Sequence, residues 1–315
     1  MKRAGSVALS LLAAPLNVNV LRTLEEGPKA LLDLRRAVGS PPQSTMRLYS
    51  RTLTERGVID RRRRAEFPGS AEYEITPPGR DLLEVAGVLE EWLRVAPEGP
   101  VPIASPSAKS ATKALVEGWS TNIVRAIAAR PLSLTELNRL IPKVSYPSLE
   151  RRLGSMRLAN LVQPHPGDGR GTPYTATGWL RRAVVPLAAA ANWERRNGSH
   201  DAQPIGRLDV EAAFLLAIPL IDMPDDFSGR CRLAVEVQGG SSPIVAGVMV
   251  SFEEGKVTSC SSRLEGEAES WVSGSPVGWL DRLSGADGRS LELGGDVAMA
   301  AAILDRLGAV AKEPV

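Results

Sequence analysis

Apolar positions recur at three- and four-residue spacing from Asn17 to Glu26 and stop at Gly27-Pro28, the pattern of a short amphipathic helix closed by two breakers. Leu31, Leu34 and Val38 put a second helix over residues 29–38. The stretch "GSPPQST" (39–45) is a turn, and a third helix from about Gln43 to Arg56 is expected to bury Met46, Tyr49 and Leu53. Gly57 ends that helix, because glycine takes the left-handed backbone that lets a helix turn into a strand. "VIDRRRR", a loop with "FPGS" and "EYEIT" (72–76) then read as two strands and their connection, and "PPG" (77–79) opens a helix over residues 80–94.

The pattern comes twice. An offset of 103 lays residues 20–38 over 123–141, with Leu24 on Ile127, Pro28 on Pro131 and Leu34 on Leu137. It continues with Met46 on Leu149, Leu53 on Met156, and Gly57 on Asn160, the other residue type that tolerates left-handed backbone. After a two-residue shortening "EYEIT" meets "PYTAT" (173–177) and Trp92 meets Trp193. Two copies of one unit are expected, at about 17–94 and 120–195, each made of three helices followed by a two-stranded wing, a winged helix-turn-helix.

After the linker "SHDAQPIG" (199–206) the periodicity changes. "DVEAAFLLAIPL" predicts a helix, and "GRCRLAVEV", "PIVAGVMVSFEEGKVTSCSS" (a hairpin around Glu254-Gly255) and "EAESWVSG" predict strands. "SPVGWLDRLSG" reads as a capped helix, "SLELGGD" as a short strand and turn, and "VAMAAAILDRLGAV" as a closing amphipathic helix. The expected fold class is α+β: winged helix-turn-helix domains at 1–98 and 99–198, then at 199–315 an antiparallel sheet with helices on one side.

Composition narrows the function. A hydrophobic content of 43% and a charged content of 23% fit a globular chain, and 315 residues allow two or three domains. The longest apolar runs, such as "AAFLLAIPLI" (212–221), are too short to span a bilayer, so no membrane association is expected. "MKRAGSVALSLLAAP" is read as a structural helix rather than a leader, and the protein as cytoplasmic. Two cysteines, Cys231 and Cys260, and two histidines, His165 and His200, are too few for a disulfide framework or a zinc site, and no cofactor is called for. There is no G-x-S-x-G, no P-loop and no supported acid/base pair, so the chain is not read as an enzyme. Charge is uneven: Lys+Arg against Asp+Glu is 15 to 12 over residues 1–95, 14 to 6 over 96–198 and 9 to 18 over 199–315, or +3, +8 and −9. Only the first two-thirds is therefore suited to meet a polyanion.

The stretch "LTERGVIDRRRRAEFPGSAEYEITPPGRDLLEV" resembles the HxlR family of bacterial transcriptional regulators, whose wing runs from a basic strand over a Pro-containing tip to "Y-x-L-T-x-x-G". "YEITPPG" follows that ending, whereas "MRLANLVQPHPGDGRGTPYTATGW" has a Gly-rich wing and "TG" in place of "T-x-x-G". The order of the last third, with "W-L-D-R-L … L-E-L-G-G-D … L-D-R-L", resembles the sterol-carrier-protein fold. The first resemblance implies double-stranded DNA as partner, and the second implies a small apolar guest between sheet and helices. Members of the first family act as homodimers. Two copies in one chain would form a covalent pseudo-dimer, working alone or as a further homodimer, on an imperfect palindrome.

A recognition helix that buries its apolar face presents the remaining side chains to the major groove. In the first copy these are Ser44, Thr45, Arg47, Leu48 and Arg51, and in the second Ser145, Tyr146, Ser148, Arg151 and Arg152. Arg47 and Arg151 are the candidates for guanine edges or phosphates. The wings add Arg61, Arg62, Arg63 and Arg64 in the first copy, of which strand alternation turns at most one pair to DNA, and His165 and Arg170 in the second. An apolar guest would be lined by Phe214, Leu215, Ile218, Met223, Trp271, Trp279 and Met299, residues that could equally fill a core. The expected function is a DNA-binding transcriptional regulator whose last third senses that guest or mediates association. The alternative is a protein-interaction scaffold or apolar-ligand carrier whose winged helices do not read DNA.

Overall fold

The structure, a computed structural model, describes residues 4–63, 71–116, 120–166, 171–198, 205–239, 242–285 and 290–310. Helix α1 (Ser6–Leu12) precedes α2 (Pro15–Glu25), a short strand β1 (Lys29–Ala30), α3 (Leu31–Ala37) and α4 (Gln43–Glu55). Strands β2 (Ile59–Arg63) and β3 (Ala71–Ile75) and the long α5 (Pro77–Arg94) complete the set. The same order then recurs in α6 (Pro106–Val116), α7 (Ser120–Ala129), β4 (Leu132–Ser133), α8 (Leu134–Leu140), α9 (Tyr146–Leu158), β5 (Val162–Pro164) and β6 (Pro173–Ala176). Its last helix is divided into α10 (Gly178–Arg182) and α11 (Val184–Asn197). The strands form two small sheets, ordered β1-β3-β2 and β4-β6-β5.

Three local expectations change. Residues 29–38 are not one helix: after Gly27-Pro28 the chain is extended, Lys29 pairs with Tyr73 of β3, and the helix starts only at Leu31. On α4 the buried positions are Met46, Ser50 and Leu53, while Tyr49 is half-buried, so the buried stripe steps by four and then three. The break before α11 follows from Pro186, which has no N–H to offer the carbonyl of Arg182 one turn earlier.

The two sets agree at the level of single hydrogen bonds. Gly57 and Asn160 both have left-handed backbone, at φ 69° and 55°. Beyond them Val58 N–H reaches back to the Leu53 carbonyl (3.1 Å), and Leu161 N–H to that of Met156 (2.9 Å). The Thr76 hydroxyl donates to the Gly57 carbonyl at 2.6 Å and accepts from Gly79 N–H at 3.2 Å. Thr177 donates to the Asn160 carbonyl at 2.9 Å and accepts from Leu180 N–H at 3.1 Å. The glycine of "T-x-x-G" has a steric cause, since a Cβ on Gly79 would lie 2.1 Å from the Val58 carbonyl oxygen. Leu180 stands at the corresponding place in the second set and is fully buried.

Helices α5 and α11 pack on one another, and their contact is reciprocal. The indole of Trp92, at the end of α5, donates to the Trp179 carbonyl at 2.9 Å, and the indole of Trp193, near the end of α11, donates to the Pro78 carbonyl at 2.9 Å. An offset of 101 maps Trp92 onto Trp193 and Pro78 onto Trp179, so the two bonds exchange under it. Trp179 also stacks on Trp92, with ring centroids 4.3 Å apart and planes 6° from parallel, and returns a bond to the Trp92 carbonyl at 2.8 Å. Glu194 of α11 is buried and receives the N–H groups of Gly5, Val7 and Ala8, which fixes the start of α1.

The remaining third contains α12 (Arg207–Ala217), β7 (Gly229–Gly239), β8 (Ser242–Glu253), β9 (Lys256–Ser261), β10 (Ser270–Gly274), α13 (Pro276–Leu283), β11 (Leu291–Gly295) and α14 (Val297–Val310). Its five-stranded sheet has the order β11-β10-β7-β8-β9. The sheet is mixed rather than antiparallel, since β10 runs parallel to β7. Ser261 at the end of β9 lies opposite Met249, which lies opposite Arg232, so residues 262–269 return across the sheet and reach Cys231, near the start of β7. From there the unpaired length of β7 extends only in its own direction. The cap expected on α13 is present, with Ser275 accepting from Gly278 N–H, and Asp296 accepts likewise from Met299 N–H at the start of α14.

Alternate residues of β7 and β8, among them Leu233, Val235, Val248 and Val250, are buried under the helices, and α12 lies between β8 and α7. Glu211 of α12 is fully buried and paired with Arg207 at 2.6 Å and with Arg125 of α7, which also reaches the Ser262 hydroxyl at 3.1 Å. Among the described residues no single helix is long and apolar enough to cross a membrane.

Two outcomes follow from this packing. Trp92→Phe keeps a ring but leaves the Trp179 carbonyl without its donor, and urea unfolding should show a loss of about 1–3 kcal/mol. Burial pushes the Cys231 thiol up to about 11 and the Cys260 thiol up to about 12. Iodoacetamide at neutral pH should therefore label neither in the folded protein and both in concentrated guanidinium, as read by mass spectrometry.

Candidate nucleic-acid interface

Helices α4 and α9 are each thirteen residues long and lie at an offset of 103. The buried stripes Met46, Ser50, Leu53 and Leu149, Leu153, Met156 face inward, which leaves the opposite faces outward. On α4, Ser44, Arg47 and Arg51 are exposed and Thr45 is half-buried. Arg51 is paired along the helix with Glu55 at 2.7 Å, while Arg47 has no ion-pair partner among the described residues. Leu48 is 60% exposed and borders a groove of about 460 Å³ whose opposite wall is α1, with Val7 and Leu11.

On α9, Tyr146 and Arg151 are exposed, and Ser145 and Ser148 share a hydrogen bond at 2.9 Å across the first turn. Arg152 is half-buried. The position of Arg47 is taken here by Glu150, also exposed. Its charge is opposite to that of the cations expected on this helix, and the offset of 103 aligns it with Arg47.

The hairpin β2–β3 sorts its arginines by strand alternation. Arg61 lies opposite Tyr73 and shares its side with Ile59 and Ile75, both buried at the base of the strands. Arg62 lies on the other side with Asp60, Glu72 and Glu74, and its guanidinium contacts Glu74 at 2.5 Å and Asp60 at 3.8 Å. The wing is thus basic on the side of Arg61 and acidic on that of Arg62, where one guanidinium meets three carboxylates. Arg63 closes the ladder opposite Ala71, and Arg64 lies outside the described residues. In the second set His165 is exposed and its N–H extends the ladder to the Pro173 carbonyl at 2.9 Å, while Arg170 lies outside the described residues.

The residues expected around an apolar guest fall in different surroundings. Phe214, Leu215, Ile218, Met223 and Trp279 are buried as core. Phe214 and Trp279 meet edge to face at 4.6 Å, and the Trp279 indole donates to the Ala234 carbonyl at 2.9 Å. Met299 is half-buried beside Gly229. Trp271, expected beside a guest, is instead 40% exposed on the sheet face away from the helices and covers Gly294. Alternation decides this, because its neighbours Ser270 and Val272 take the buried side. A cavity of about 70 Å³ lies elsewhere, where α12 and α13 meet α7 and α11, and of the seven expected residues only Phe214 and Trp279 line it.

Residues 12–98 match the HxlR-like helix-turn-helix family. Over 78 residues, 25% of this chain, the sequence is 28% identical to the HTH-type transcriptional regulator YtfH of Escherichia coli, described as uncharacterized, and equally to that of Shigella flexneri. The chain spans 62% of the length of these curated relatives. A solved structure assigned to the MarR family of transcriptional regulators, from Enterococcus faecalis, is 27% identical over 27% of this chain and 78% of its own, with a TM-score of 0.26.

Proposed function

We propose that the protein is a DNA-binding transcriptional regulator that presents two winged helix-turn-helix units from one chain. The observation that carries this is the outward face of α4, with Ser44 and Arg47 unburied, in a segment that also holds the wing arginine Arg61 and matches a helix-turn-helix family. A recognition helix needs that combination of a buried stripe and an N-terminal half rich in donors. The recurrence of the order in α6–α11, down to the Thr76 and Thr177 bonds, supports a second unit at 99–198. The reciprocal Trp92 and Trp193 bonds support a covalent pseudo-dimer, which needs no second copy to address two half-sites. The place of action on this reading is the cytoplasm.

On the same reading residues 199–315 form a sterol-carrier-protein-like layer that braces the second unit. Control by a small apolar guest would require the junction of α12 and α13 with α7 and α11 to open, since about 70 Å³ holds no drug-sized molecule.

Fluorescence anisotropy on duplex DNA tests the reading. Binding should weaken steeply as salt rises. Arg47→Ala and Arg61→Ala should each cost about tenfold in affinity, whereas Arg62→Ala, already engaged by Glu74, should change it little. Binding that is indifferent to salt and to the first two substitutions would overturn it.

A further inference from the structure

Glu150 is the one outward residue of α9 that opposes a polyanion where α4 offers a cation. Both are fifth residues of thirteen-residue helices that begin at Gln43 and Tyr146, so Arg47 and Glu150 hold the same place relative to the buried stripe. The neighbouring outward places differ too: Leu48 is matched by Arg151 and Arg51 by Gly154. An exposed glutamate on a helix ordinarily serves a lysine or arginine three or four residues away. Here those neighbours are Tyr146, Pro147, Leu153 and Gly154, none of them cationic, and among the described residues the carboxylate has no partner. Pairing within the helix therefore does not account for it.

We infer that Glu150 is a specificity-determining residue of the second unit, accepting a hydrogen bond from the N4 amino group of a cytosine in the major groove; this rests on the DNA-binding reading above. A carboxylate has only acceptors to offer, and cytosine N4 is a donor that base edges present there. The acceptor edges of guanine, O6 and N7, and the O4 of thymine would face the carboxylate with repulsion. The first unit does the reverse: Arg47 has only donors and suits guanine. One chain thus reads two half-sites by opposite chemistry. Arg151, one residue further along the second helix, supplies the cation that holds Glu150 near the phosphates without neutralising it.

The test is selection of bound duplexes from random DNA by the full-length wild type, Glu150→Gln and Glu150→Ala, followed by affinities at one salt concentration for the selected site and its single-base variants. Wild type should show a cytosine position in one half-site, about tenfold preferred over guanine. Glu150→Ala should flatten that position alone. Glu150→Gln should move it toward adenine, whose N6 and N7 fit an amide. Since Glu150 is exposed, circular dichroism and thermal midpoints should match the wild type. Identical position preferences in all three proteins would overturn the assignment and leave the regulator reading intact. A wild type that selects no sequence would overturn both.

Discussion

The antiparallel contact of α5 with α11 is the constraint on which the rest depends. Three indole N–H groups are buried in it, and each must find an acceptor or cost more than it contributes by packing. They find backbone carbonyls at the first turn or the end of the opposing helices, at Pro78, Trp92 and Trp179, and those carbonyls stay put only while both helices keep their register. Helix α11 is also the common spine: its Glu194 receives the start of α1, and its Asn192 reaches Asp281 of α13 at 3.1 Å. Displacing this helix would loosen all three parts of the chain together.

The second constraint is electrostatic. Glu211 carries a charge into the junction between α12 and α7, and its two arginine partners come from its own helix and from the neighbouring set. A buried pair of this kind contributes little beyond an apolar substitute, but loss of one partner strands a charge. It therefore fixes how the last third is seated more than how stable it is. Arg181 adds a second strut by donating to the Leu215 carbonyl at 2.9 Å, near the end of α12.

The elements were legible wherever local chemistry decides the backbone. Gly57 and Asn160 announce left-handed helix ends, Glu254-Gly255 a tight hairpin turn and "SPVGWLDRLSG" a capped helix, and each is found in that role. What could not be read depends on partners distant in sequence. Lys29 is a strand residue because Tyr73 lies beside it, and β10 is parallel to β7 because of where β9 stops. Trp271 has the composition of a pocket residue, yet its strand parity sends it to the open face. On the wing, alternation limits the arginines facing DNA to one pair, but only the register shows Arg62 on the side of Asp60, Glu72 and Glu74. Glu150 is not legible as a contact residue from charge, because a polyanion attracts cations.

The reciprocal tryptophan contact also bears on mass action. Two separate chains joined by such a surface would come apart on dilution, and their stability would depend on how much protein is present. Here the connection through α6 holds the second surface at a fixed local concentration, on the order of millimolar for a short tether. The interface between the two sets is then insensitive to dilution, and its halves are free to diverge in sequence, because neither has to recognise an identical copy of itself.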